Sequence, residues 1–337
     1  MFARVLAGLV LALLLIGPAA AASFDCKGAR TPFAKAICST PELSKADDAL
    51  AAALKTALDG LSAPAMTEVQ SAQDNWVKFA NLACTSNAKP ATRPYTADGI
   101  DCLKNLFSDR AEQLQHGKTI GGLRFYYVDR YAALKDPDPQ SSEFKVATKF
   151  VSTPRIDGDD PEAAAFNRFI ETGVKDDIDP AIATAPKPDD GTEDDANSLV
   201  VDTVNPVRIS MSLNLYSYGH GAAHGNPGVT YIHYLRAQQR RLVAADVFAG
   251  SGWQAKLQTL ALAAVKKAEG EDLMLDDPAS INDIVIDPAR WDFSKDGLIL
   301  QFEPYEIAAY AFGSPTVTIP WGDLKDVLAP GAADFQS

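Results

Sequence analysis

The chain has 337 residues, of which 47% are hydrophobic and 22% charged, and a net charge of −13 at pH 7. An acidic surface disfavours nucleic acid and anionic lipid and suits a basic partner, although negative charge also serves solubility alone. The length allows two domains after removal of any leader.

The chain opens MFARVLAGLVLALLLIGPAAAASFDC. Arg4 precedes an apolar run from Val5 to Ile16, then Gly-Pro, then Ala20-Ala21-Ala22. This is the pattern of a secretory signal peptide over 1–22, cut before Ser23. The run is shorter than the ~20 apolar residues of a membrane span. Ser-Phe-Asp ahead of Cys26 is not a lipoprotein cleavage box. The expectation is a periplasmic or secreted protein with no membrane anchor.

The cysteines are Cys26, Cys38, Cys84 and Cys102, an even number within the first third of the chain. In an exported protein that composition implies two disulfides. Three pairings are possible. Cys26–Cys38 with Cys84–Cys102 is preferred because both close short local loops.

Residues 23–116 predict an all-helical domain. Thr31-Pro32 and Thr40-Pro41-Glu42 read as N-cap and N1 pairs. Leu43, Ala46, Leu50, Ala53, Leu54, Ala57 and Leu58 recur at helical spacing until Gly60. A second long helix runs from about Pro64 to Ala83 and a last one from about Asp101 to Gln115. In HGKTIGG (116–122), residues 117–122 read as a linker.

From 123 to 330 the pattern changes to an α+β domain with a mainly antiparallel sheet and packed helices; 331–337 is a tail. Strands are predicted at Arg124–Ala132, Lys145–Ile156, Ser198–Tyr218 and Val229–Leu235. Asp160-Pro161 starts a helix, and the stretch 185–198 is an acidic loop. A helix follows over Gly252–Ala268, with Ser251 as its N-cap. Strands at Asp283–Phe293 and Gly297–Glu303 flank the turn SKDG. A strand at Thr316–Pro320 and a helix at Trp321–Leu328 close the chain. Residues 23–116 carry 10 Lys+Arg against 11 Asp+Glu, and residues 117–337 carry 20 against 33, so the charge sits in the second part.

Three of the four histidines fall in YSYGHGAAHGNPGVTYIHY (216–234). His220 and His224 stand four apart, as in a zinc helix, but Gly-Ala-Ala lies between them and no glutamate base is present. The glycines and Pro227 favour a turn between strands, with a histidine bonded to backbone. No metal or cofactor is expected. The acidic residues Asp189, Asp190, Glu193, Asp194 and Asp195 lack the ordered spacing of an EF-hand. They read as a solvated charge run and as candidate contacts for a basic partner. No G-x-S-x-G motif or phosphate-binding glycine loop is present, and the cysteines are consumed by disulfides. Glu303 and Glu306 in QFEPYEIAAY are a carboxylate pair that equally suits a turn anchor. No catalytic constellation emerges, and the chain reads as a non-enzyme.

Two stretches resemble known families. DCKGARTPFAKAIC, TPELSKADDALAAAL, QDNWVKFANLAC and DCLKNLFSDRAEQL together resemble the N-terminal domain of LprI-family lysozyme inhibitors over about 24–116. All four cysteines match, as do Trp76 and Arg110. YSYGHGAAHGNPGVTYIHY, Arg241–Phe248 and FEPYEIAAYAFGSPTVTIPWGDLKDVL resemble the extracellular C-terminal domain of RsiV-type anti-sigma factors, also found in PdaC-type deacetylases, over about 120–330. Gly221, Ala223, His224 and Gly225 match its turn, which implies that His224 is the histidine bonded to backbone and that His220 is an ordinary neighbour. Phe302, Pro304, Tyr305, Ile307, Ala308, Gly313 and Ile319 match its closing segment. The cytoplasmic sigma-binding segment, transmembrane helix and deacetylase domain of those families have no counterpart here. Both resemblances imply one partner, a lysozyme-like basic muramidase, bound by occlusion. The alternative is a non-catalytic envelope module that binds peptidoglycan or an envelope protein.

Overall fold

The computed structural model describes residues 23–137, 145–185, 187 and 191–336. The signal peptide read at 1–22 lies outside the described residues, as do Asp189 and Asp190.

The fold is α+β. In the N-terminal part, Thr31 caps α1 (Pro32–Ser39), its hydroxyl accepting from the Ala34 amide, with Pro32 opening the first turn. Thr40 closes α1 and precedes α2 (Pro41–Leu58), but its side chain makes no cap bond there. Ser62 caps α3 (Ala63–Ala83), and Thr96 caps α4 (Ala97–Gln113) by accepting from Gly99. That cap starts α4 a turn earlier than the hydrophobic spacing alone suggests. The apolar faces of these helices bury Leu43, Leu50, Val69, Trp76, Phe79 and Phe107 in one cluster. Trp76 meets Phe107 edge-on with ring centroids 4.9 Å apart. Each large side chain so buried stabilises the fold by roughly 1.5–3 kcal/mol. Disulfides join Cys26 to Cys38 and Cys84 to Cys102, stapling the first turn to α1 and the end of α3 to α4.

Where a linker was expected, Thr119–Ile120 forms β1 and Gly121-Gly122 turn the chain into β2 (Leu123–Lys135). Both glycines have positive φ, +57° and +85°, which side-chain-bearing residues adopt at a cost. The main sheet continues with β3 (Val146–Ile156), β4 (Glu193–Val204), β5 (Arg208–Gly219), β6 (Asn226–Leu235) and β7 (Arg240–Arg241), in chain order. All neighbours are antiparallel except β3 and β4, which run parallel. The crossover between them carries α5 (Pro161–Thr172), capped by Asp160, and the short α6 (Lys175–Ile178). The single strand read over Ser198–Tyr218 is instead a hairpin. It breaks at Asn205-Pro206, where the Asn205 side chain accepts from the Val207 and Arg208 amides. Residues 193–198 of the expected acidic loop belong to β4: all pair with β5, and 195–198 pair with β3 as well.

α5 covers one face of the sheet, with Phe166 and Phe169 against Phe125, Val151 and Tyr234. The N-terminal helices pack elsewhere on β2, where Tyr126 and Tyr131 join the helical core. The contact is also polar. Tyr126 donates to Glu68, the Asn75 side chain accepts the Tyr131 amide at 3.1 Å, and Arg124 donates to the Ala57 and Asp59 carbonyls. At its centre the Arg110 guanidinium pairs with Asp129, and both side chains are buried.

After α7 (Ala244–Val247), helix α8 (Trp253–Glu269) packs on a second sheet made of β8 (Trp291–Phe293), β9 (Gly297–Gln301) and β10 (Thr316–Pro320). Gly252, at φ +96°, occupies the N-cap position of α8 rather than Ser251. Residues 282–290 are not strand: α9 (Asn282–Ile286) is followed by a one-turn 3-10 helix started by Asp287-Pro288. The closing helix α10 (Trp321–Leu324) is shorter than expected, and Leu328 instead bridges to Phe248.

Candidate functional site

The β5–β6 turn stands at the end of the sheet where β4 begins, because Glu193 pairs with Gly219 in the ladder. The acidic stretch and the histidine turn, remote in sequence, therefore lie side by side. The His220 amide donates to the Thr192 carbonyl at 2.8 Å and extends this contact.

The turn is tight. The Ala222 amide bonds the Gly219 carbonyl at 2.9 Å, and Gly221 takes φ +87°. Ala223 and His224 are exposed, while Gly225 is buried. His224 Nδ1 lies 3.0 Å from the Gly225 carbonyl and so carries the proton. Its Nε2 then accepts from the Tyr305 hydroxyl at 3.3 Å. The imidazole stacks on Tyr310 at 4.0 Å, and the Tyr310 hydroxyl donates to the same Gly225 carbonyl. Gly225 is required by space: a Cβ there would sit 2.3 Å from the Tyr216 hydroxyl.

His220 departs from the expected bystander role. Its side chain is buried, with Nδ1 2.6 Å from Asp136 and Nε2 3.6 Å from Asp194. It fixes the turn from below while His224 faces outward. Among the described residues, no group of three or more His, Cys, Asp or Glu is placed to hold a metal ion.

The acidic residues have divided roles. Asp194 accepts from the Thr148 amide and hydroxyl at 2.6 and 2.8 Å. Asp195 pairs with Lys149, whose side chain is fully buried. Glu193 is the most exposed of the three, at 45%, and lies 3.8 Å from the same Lys149.

Opposite the turn, the segment after β9 is held as a rigid loop. Arg290 forks onto both Glu306 oxygens at 2.7 and 3.1 Å, and Glu306 accepts the Glu303 amide at 2.7 Å. The Glu303/Glu306 pair is thus a turn anchor. It presents Tyr305 at the apex, 55% exposed, with φ +72°. A non-glycine residue in that conformation costs of order 1–3 kcal/mol, which the Arg290 clamp holds in place. Tyr305, Tyr216 and Phe312 are among the most exposed large apolar side chains. Partial burial, then the nearby Tyr310, Asp194 and Tyr218, push the Tyr216 hydroxyl above its ordinary range, so it remains a donor.

The result is a rim of Tyr216, His224, Tyr305 and Tyr310, with Asp194 near the Tyr216 hydroxyl. Such a surface offers aromatic contact area and directed hydrogen bonds. The spacing of residues pointed to the turn but not to Tyr216 or Tyr310. Their only sequence signal was the density of tyrosine in YSYG and YEIAAY.

The family model described as lysozyme inhibitor LprI matches residues 26–114. A model described as a protein of unknown function, DUF3298, matches residues 245–322. Tyr305 and Tyr310 lie inside the second match and the histidine turn outside it, yet the two are bonded to each other. Among solved structures, the chain is similar to a member of the DUF3298 family from Bacteroides fragilis, with 16% identity and a TM-score of 0.43 over 64% of this chain and 97% of that one. It is also similar to a DUF3298 family protein from Pseudomonas aeruginosa, with 18% identity and a TM-score of 0.41 over 62% and 96%. No curated protein matches the chain. Among the described residues, no helix is long and apolar enough to cross a membrane.

Proposed function

We propose that the protein is an exported binder of lysozyme-like muramidases that inhibits them by occlusion. The observation that carries this reading is the match of residues 26–114 to the lysozyme-inhibitor model. The two disulfides of that segment suit an oxidising compartment outside the cytoplasm. The net charge of −13 favours encounter with a basic enzyme. The resemblance of the second part to RsiV-type extracellular domains implies the same partner. The contact face in this reading is the rim of Tyr216, His224 and Tyr305, with Asp194 near Tyr216. Aromatic anchors supply the contact area, and the carboxylates steer the approach.

The test is calorimetry of the mature protein against a basic muramidase at two salt concentrations, with a cell-wall lysis assay in parallel. Saturable binding that weakens with salt, together with slowed lysis, supports the proposal. Absence of both at micromolar protein overturns it. Sedimentation with isolated cell walls when muramidase is absent would instead support a peptidoglycan-binding envelope module.

A further inference from the structure

The Ser23 backbone nitrogen lies 2.6 Å from Asp47 Oδ2. Asp47 sits on the packed face of α2 with Leu43 and Leu50 and is only 8% exposed. The walls around it are mostly apolar: Phe24, Phe33, Ile37, Trp76 and Phe107 line a cavity of about 230 Å³ with it, together with Gln73. Among the described residues, no Lys, Arg or His forms an ion pair with this carboxylate, and the Ser23 nitrogen is its hydrogen-bond donor. A buried carboxylate among hydrocarbon side chains is costly unless it meets a cation. A peptide N–H supplies one hydrogen bond and no charge.

The nitrogen in question belongs to the residue that follows Ala20-Ala21-Ala22, the small-residue run where the leader is expected to be cut. We infer that Asp47 is the receptor for the mature N-terminus: hydrolysis of the Ala22–Ser23 bond creates an α-ammonium at Ser23 that ion-pairs with it. In that step a signal peptidase adds water across the peptide bond. Ala22 leaves as a carboxylate that keeps the water oxygen, and the Ser23 nitrogen takes both of the water's protons and becomes the cation that Asp47 lacks. Little movement is required, because the nitrogen already occupies the place. The Cys26–Cys38 bond, three residues on, keeps the new terminus on a short leash. Phe24, 39% exposed, lines the same cavity. Leader removal thus completes the helical core as well as releasing the chain.

The experiment exports the full chain, determines the terminus by intact mass and measures acylation of the α-amine near neutral pH. The expected terminus is Ser23. Pairing with a carboxylate holds the proton on the amine, so acylation should be about tenfold slower or more than in a free peptide beginning Ser-Phe-Asp. Asp47→Asn should restore most of the lost rate. If that variant does not accumulate, a chain keeping two extra residues ahead of Ser23 gives the second reading, through a lower melting temperature than the processed protein. A terminus other than Ser23, or an amine acylated as fast as in the peptide, overturns the inference. So does an extended chain that melts with the processed one.

Discussion

His224 and Tyr310 stack at 4.0 Å, and both donate to the carbonyl of Gly225. The pair welds the β5–β6 turn to the segment after β9. Tyr310→Phe removes one of the two donors and keeps the stack, so it should cost about 1 kcal/mol. His224→Ala loses the ring as well and should cost about 1–2 kcal/mol. Urea unfolding of the two variants measures the order. A His224→Ala protein that folds as stably as the parent would overturn this reading.

Tyr305 separates stability from binding. Its backbone lies at φ +72°, a conformation that glycine adopts freely. Tyr305→Gly relieves that strain while losing a long hydrogen bond to His224, so the melting temperature should hardly move. Affinity for a basic muramidase should fall about tenfold or more if the ring is a contact anchor. Calorimetry and thermal melts on one preparation give both readings.

Gly225→Ala drives a Cβ into the Tyr216 ring, whose hydroxyl would lie at 2.3 Å. Overpacking of this kind costs about 1–3 kcal/mol. Because Tyr216 stands at the surface, the added substitution Tyr216→Ala should return most of the loss. A double-mutant cycle on unfolding free energies checks the coupling.

Arg110 and Asp129 are buried together between α4 and β2. Burial works to lower the guanidinium, while Asp129 and Tyr131 raise it, and the net shift is upward. Arg110→Met leaves Asp129 without its cation and should cost about 3–5 kcal/mol. Adding Asp129→Leu should recover most of it, read from denaturant midpoints.

His233 sets the acid limit. Burial pushes its imidazole down from 6.5 to about 4, opposed by its bond to the Trp291 carbonyl and helped by Arg208 and Arg241. The unfolded chain takes up this proton near pH 6.5 and the folded chain only near pH 4. The contribution is therefore complete above pH 6.5 and is lost as pH falls toward 4, to a total of about 3 kcal/mol. His233→Gln should flatten the stability profile across that window.

Much of this was legible in the sequence. Thr31-Pro32 and Asp160-Pro161 carry helix starts in local chemistry, and the short cysteine spacings admit local disulfides. The strand over Ser198–Tyr218 misled because Asn205-Pro206 is a brief break in a long β-rich run. Residues 282–290 misled because Asp287-Pro288 restarts a helical turn amid Ile and Val that favour strand. His220 looked incidental because its partner, Asp136, is 84 positions away. The aromatic rim joins positions 216–224 to 305–310, a contact that no local pattern encodes.

Asn75 has a consequence beyond the single hydrogen bond it accepts from Tyr131. Past the two residues of β1, the outer margin of β2 meets α3 rather than another strand. Without that helix, a row of backbone donors and acceptors would lie open to any other extended chain. The sheet expressed alone from residue 117 would be prone to pair with copies of itself. The N-terminal helices thus serve as the sheet's guard against self-association, and neither half is a freely transplantable module.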